Sequence, residues 1–156
     1  AALQIAKSAG AWVAVTCGDY DFELARELGA DLTIDYRNDD FARALADSPV
    51  DVVFNTVGGA LLQKSVPLLK RFGRMALISS TNDNLDMAYR NNITVHHVMM
   101  TRSGSKMEKL KNLIEWGKLK AVVDSVMGMS DVAEAHRKLS NGKVRGKIVL
   151  SPALRS

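Results

Sequence analysis

Residues 50–59 read Val-Asp-Val-Val-Phe-Asn-Thr-Val-Gly-Gly. Val50, Val52, Val53 and Phe54 form a short apolar run rich in β-branched residues. It stops at Asn55 and then at the pair Gly58-Gly59. A run of this length and kind predicts a strand buried on both faces, as in a parallel sheet. Glycines at its end let backbone approach a neighbour or ligand closely. In open α/β sheets, ligands sit at the carboxyl ends of the strands. Asn55, Thr56 and Val57 are therefore the first candidates to touch a ligand, against the plainer reading of a strand and a turn.

The flanking sequence repeats the alternation. Upstream, a helix over Ala1–Ser8 is followed by strand Trp12–Cys17 and a helix ending near Leu28. Strand Leu32–Asp35 comes next, then a helix capped by Asn38 with Phe41, Ala44 and Leu45 facing inward. Downstream, Leu61–Lys70 carries an apolar stripe interrupted by Pro67, which either kinks the helix or restarts it. Arg74–Ser79 is a second buried strand, and Ser80–Asp86 loops past its carboxyl end. Asn92–Thr101 reads as a strand. Ser105 and Glu108 form a capping box before a buried stripe of Met107, Leu110, Leu113 and Ile114. Ala121–Val126 is extended, Ser130 caps another helix, and Lys147–Leu150 is a last strand. This order predicts an α/β fold with a doubly wound parallel sheet. Such a sheet opens with a strand and a glycine-rich turn before its first helix. Here the helix comes first, so the expectation is a Rossmann-like sheet lacking that first strand and turn.

Composition narrows the function classes. The chain has 156 residues, is 47% hydrophobic and carries a net charge of +4. That is enough for one domain with a sizeable core. No apolar run approaches the ~20 residues of a membrane span. The basic residues lack the interleaved aromatics of a nucleic-acid surface, so neither nucleic acid nor membrane is expected as a partner. The single cysteine, Cys17, excludes a disulfide framework and fits a reducing compartment, taken as cytoplasmic. No Cys/His spacing indicates a metal site. No base is visible beside Cys17, so the reading for its side chain is a small core residue.

Five segments in order carry a resemblance: AALQIAKSAGAWVAVTC (1–17), ELARELGADLTIDYRNDDF (23–41), VDVVFNTVGG (50–59), LLKRFGRMALIS (68–79) and AHRKLSNGKVRGKIVL (135–150). Together they resemble the medium-chain dehydrogenase/reductase family, in its zinc-free, quinone oxidoreductase-like branch. The resemblance implies that residues 1–156 are a partial NAD(P)-binding Rossmann domain with its C-terminal tail. A GroES-like catalytic domain would then be absent. Without the first strand, the Trp12–Cys17 and Val50–Phe54 strands would lose a shared neighbour.

The implied activity is that of the nucleotide-binding part of an NAD(P)H-dependent oxidoreductase. It would pass hydride to a quinone or an activated C=C or carbonyl, the small-molecule substrate. The alternatives are a zinc-dependent alcohol dehydrogenase whose metal site lies in the absent domain, and a non-catalytic cofactor-binding protein. The cofactor residues implied are Cys17, Gly18, Tyr36, Asn55, Val57, Gly58, Ile78 and Ser79, with Ser80 beside them. Cys17 or Gly18 falls where NAD-preferring domains keep an acid, which favours NADP. Asp19 could still serve NAD, and Asp21 stands near the place of a lysine that the family's quinone reductases use. Tyr36 is either an adenine-ribose contact or a packing ring. Lys143 and Arg145 are weighed as phosphate contacts against solvated surface. No catalytic residue is identified; Lys70 and Asp83 are the groups weighed as proton donor. His96 and His97 point to opposite faces of a strand, which suits structure better than shared metal ligation. In similar proteins the strand corresponding to Asn92–Thr101 pairs with its twin, so a homodimer through it is expected.

Overall fold

The computed structural model describes residues 1–79, 86–142 and 144–154. The chain forms two compact units. Fourteen helices and strands are present among the described residues: α1 (Ala2–Ser8), β1 (Ala14–Cys17), α2 (Phe22–Glu27), β2 (Leu32–Asp35), α3 (Phe41–Ala44), β3 (Val50–Asn55), α4 (Ala60–Ser65), β4 (Leu69–Leu77), α5 (Asp86–Arg90), β5 (Thr94–His97), α6 (Gly104–Glu115), β6 (Val123–Gly128), α7 (Val132–Ser140) and β7 (Lys147–Ser151). The α/β alternation read from the sequence is therefore present. The strands form three ladders, β1–β2, β3–β4–β5 and β6–β7. β3–β4, β4–β5 and β6–β7 are parallel. β1 and β3 are not paired with each other.

One unit comprises Thr16–Asp19 and Ile34–Ser103. Its core is Leu62, Val66, Leu69, Met75, Leu77, Ala88 and Ile93, with Val50, Val53 and Val95 packed against it. Burying side chains such as Leu62 and Met75 stabilises by about 1.5–3 kcal/mol each. Pro67 lies in a 3-10 turn, Val66–Leu68, that restarts the chain after α4 and delivers it to β4. The strand predicted at Arg74–Ser79 in fact begins at Leu69. The register passes from Val50 opposite Leu69 to Val52 opposite Arg74, so residues 70–73 bulge out of the ladder. At the tip, Phe72 has φ 66, and its ring is 66% exposed.

Several expectations need correction here. β3 is not buried on both faces: Val52 is 59% exposed and Phe54 48%, because alternate side chains point away from the core and, among the described residues, nothing covers them. The strand expected over Asn92–Thr101 is only Thr94–His97, with one further ladder bond from Val98 N–H to the Leu77 carbonyl. Asp40, not Asn38, caps α3: its carboxylate accepts from Ala42 N–H at 3.0 Å.

The other unit comprises Ala1–Val15, Tyr20–Thr33 and Gly104–Ser156. Gln4 of α1 is buried and bonds both ways to the Lys120 backbone, donating to its carbonyl at 3.0 Å and accepting from its N–H at 2.7 Å. The Asp31 carboxylate binds Lys7 Nζ at 2.8 Å and Val13 N–H at 2.7 Å. Asp124 does the same in β6, accepting from Lys138 Nζ at 2.5 Å and Arg145 N–H at 3.1 Å. The stripe predicted as buried on α6 is not: none of its residues is buried, and Met107 and Ile114 are exposed. The N-cap position of α7 is Asp131 rather than Ser130, and the Asp131 carboxylate accepts from Gly128 N–H at 3.1 Å across the preceding turn.

Candidate functional site: the carboxyl ends of the strands

All eight residues expected to line a cofactor lie in the unit that holds β3–β4–β5. They fall into two groups. The first stands where β3 and β4 end. The Asn55 side-chain oxygen accepts from Val57 N–H at 3.0 Å and Gly58 N–H at 2.7 Å. Its backbone carbonyl accepts from Ile78 N–H at 3.3 Å. Asn55 is buried and Gly58 is buried with φ 81, a conformation that glycine adopts without steric cost. Gly59 follows with φ 62, and a Cβ built there would meet open space. The Asn55 side-chain oxygen thus shapes the turn from inside. Val57 and Ile78 are exposed. Among the described residues, Ser79 Oγ is buried with no hydrogen-bond partner. A buried hydroxyl without a partner is costly unless something binds it.

The second group stands where β1 and β2 end. Tyr36 N–H donates to the Cys17 carbonyl at 3.4 Å, so the two ends lie side by side. Gly18 is buried, Cys17 partly so, and the Tyr36 ring is half exposed with the Arg37 guanidinium carbon 5.3 Å from its centre. That exposure suits a half-buried packing ring at a strand end as well as a ring offered to a ligand. Buried Asp35, which sequence reasoning passed over, organises the following turn. Its carboxylate accepts from Arg37 N–H at 3.0 Å and Asn38 Nδ2 at 2.5 Å. The signal for it was the Asp at i followed by a polar residue three on, an Asx turn.

Other weighed residues fall elsewhere. Lys70 binds Asp51 at 2.9 Å at the amino end of β3, away from the strand-end site. A hollow of about 270 Å³ lined by Asp51, Lys70, Arg71, Phe72 and Arg74 opens there, but it holds none of the strand-end groups. Arg145, whose side chain is half exposed, is engaged with Asp21, 3.4 Å from its carboxylate, and with the Tyr20 carbonyl. Ser80, Asp83 and Lys143 lie outside the described residues. Among the described residues no three His, Cys, Asp or Glu side chains gather to hold a metal. No described helix is long and apolar enough to cross a membrane.

The glycine turn, the partnerless hydroxyl and the apolar surfaces of Val57 and Ile78 fit the polyhydroxylated, partly flat outline of a dinucleotide. A family model described as zinc-binding dehydrogenase matches residues 28–150. The chain belongs to that family. It is 29% identical over 161 residues to the chloroplastic quinone-oxidoreductase QR1 of Triphysaria versicolor, covering 97% of this chain and 48% of that protein. It is 32% identical to the chloroplastic NADPH-dependent alkenal/one oxidoreductase of Arabidopsis thaliana, covering 90% of this chain and 33% of that protein. The solved quinone oxidoreductase from Coxiella burnetii superposes with a TM-score of 0.84 at 27% identity, covering 99% of this chain and 48% of that one. The fold is thus the Rossmann-like nucleotide-binding domain of medium-chain dehydrogenases/reductases. The chain spans about half the length of the curated relatives it matches or less.

Proposed function

We propose that this chain is the nucleotide-binding part of an NAD(P)H-dependent oxidoreductase that reduces a quinone or an activated C=C or carbonyl compound. The observation that carries the reading is the Asn55–Gly58 turn beside the partnerless Ser79 hydroxyl at one end of a parallel sheet. A bound nicotinamide would supply the hydride. The chain's own part is binding and orientation. Gly58 and Gly59 would let the backbone approach the ligand, Val57 and Ile78 would offer apolar surface to a flat ring, and Ser79 Oγ would bond a ribose or amide. The relatives' names, a quinone oxidoreductase and an alkenal/one oxidoreductase, support the acceptor classes. NADP is favoured because β1 ends in Cys17-Gly18 with no carboxylate at that point. The second reading, a zinc-dependent alcohol dehydrogenase, is favoured by the family's description.

The remaining proposals concern assembly and place. The open edge of β5, with exposed Val98, Met99 and Met100 after it, suits pairing with a second copy of the chain. A lone cysteine suits a reducing compartment, for which the cytoplasm is our reading, although both curated relatives above are named chloroplastic.

The functional test follows nicotinamide absorbance when NADPH is mixed with a quinone or an alkenal and the protein carrying this chain. Oxidation with either acceptor supports the reading. Oxidation with neither, together with zinc-dependent turnover of an alcohol, replaces it with the second.

A further inference from the structure

We propose that the bulge at the start of β4 is a docking surface for an acidic segment of a partner protein, one that sets an apolar side chain between carboxylates. The surface stands at the amino end of β3, away from the strand-end site, and does not depend on a cofactor.

The bulge holds an aromatic ring out of the fold. Phe72 at its tip has φ 66, and its ring is 66% exposed. That backbone conformation is unfavourable for a residue with a Cβ, and an exposed ring does not offset it by burial. Strain kept at such a place points to a contact made outside the chain. The tip is fixed rather than loose. Phe72 N–H donates to the Asn91 carbonyl at 3.1 Å. Gly73 is buried, and a Cβ there would lie 2.8 Å from the Lys70 carbonyl oxygen and 3.2 Å from that of Asp51. The loop is thus pressed against β3 with its ring outward.

The chemistry beside the ring selects the partner. The hollow of about 270 Å³ next to the tip has Val52 and Phe72 as apolar walls, with Asp51, Lys70, Arg71 and Arg74 around them. Lys70 is committed to Asp51 at 2.9 Å. Arg71 and Arg74 are exposed and form no salt bridge among the described residues. Arg90, one residue before the carbonyl that holds Phe72, is a third such arginine. A guanidinium takes a carboxylate through two parallel N–H bonds. The Asp51 carboxylate interrupts the positive surface, which disfavours the unbroken phosphates of a nucleic acid or an anionic membrane. One ring is also not the row of stacking platforms that a single strand needs. Separate carboxylates on either side of one apolar side chain match what is there.

The test is fluorescence polarisation with a labelled peptide, Glu-Asp-Glu-Leu-Glu-Asp-Glu, and its counterpart with every acid replaced by lysine, titrated with the protein carrying this chain. Saturable binding of the acidic peptide and none of the lysine peptide is expected. Arg71→Glu with Arg74→Glu should weaken it about tenfold or more, the scale of a lost charge-assisted contact. Phe72→Gly should weaken it about tenfold through the lost apolar contact while unfolding at no lower a urea concentration. Phe72→Asn, which also tolerates a positive φ, is the second ring deletion and should behave the same way. No binding of the acidic peptide by the parent, or binding that either the arginine or the ring variants leave unchanged, overturns the proposal. Tighter binding of oligothymidylate or of phosphatidylserine vesicles than of the peptide overturns it too, because the bulge would then be a general polyanion surface.

Discussion

The Asn55 side-chain oxygen accepts a hydrogen bond from the Gly58 backbone at 2.7 Å, and both residues are buried. This bond ties the last residue of β3 to the glycine turn and sets the floor of the strand-end site. Replacing Asn55 with Ala strands the Val57 and Gly58 N–H groups together. The expected cost is about 1–3 kcal/mol by urea denaturation. Asn55→Asp keeps an acceptor at the same place and should recover the turn. A variant Asn55→Ala as stable as the parent would show that the turn holds itself.

Phe72 should be the easiest residue to improve on. It sits at φ 66 with its ring exposed, and a left-handed conformation costs a non-glycine residue about 1–2 kcal/mol. The Arg71 guanidinium carbon lies 5.2 Å from the ring centre. Phe72→Gly is expected to raise the urea midpoint by the equivalent of about 0.5–1 kcal/mol, after the extra freedom glycine gives the unfolded chain. A lower midpoint would mean that the ring packs against something in solution.

Two carboxylates contribute to the acid dependence of stability. The Asp31 pKa is lowered chiefly by its bond to Lys7, and that of Asp124 chiefly by its bond to Lys138. A pKa depressed on folding means that the unfolded chain binds the proton more tightly. The resulting stability is present above the ordinary value of 3.8 and is lost as pH falls through the lower folded values. Thermal midpoints attributable to these pairs should be flat from neutral pH to about pH 5 and fall below about pH 4. Lys7→Met with Lys138→Met should flatten that acid fall; an unchanged acid profile would contradict the assignment.

Self-association through β5 can be tested without breaking its ladder. Val98 N–H bonds inward to Leu77, so by strand alternation His97 N–H faces the open edge. His97→Pro removes that outward donor and leaves the inward bond intact. Light scattering should report monomers for His97→Pro where the parent is a dimer. A dimer that survives the substitution would place the interface elsewhere.

Much of the fold was legible because short β-branched runs and helical stripes repeat in strict alternation. Pro67, Gly58 and Gly59 stand where the sequence placed a break and a turn. The failures have physical causes. Val52 and Phe54 look buried because an apolar run does not say whether both faces of a sheet are covered. The stripe on α6 has helical spacing whether or not a partner packs on it. Residues 70–73 read as the end of a helix because a bulge has no periodicity. In the site, the sequence offered Asn55 as a residue near a ligand but did not show that its side-chain oxygen holds the Val57 and Gly58 backbone. Tyr36 and Cys17 meet through a backbone bond, which carries no side-chain signature.

The measurement closest to the central claim is a titration of this chain with NADPH, followed by nicotinamide fluorescence, beside the variant Gly58→Val. A β-branched residue is strained at the φ of 81 found there. Saturable binding by the parent, lost in Gly58→Val while circular dichroism shows the fold retained, is the expected result. No binding by the parent, or equal binding by both, would contradict a nucleotide site at the ends of β3 and β4.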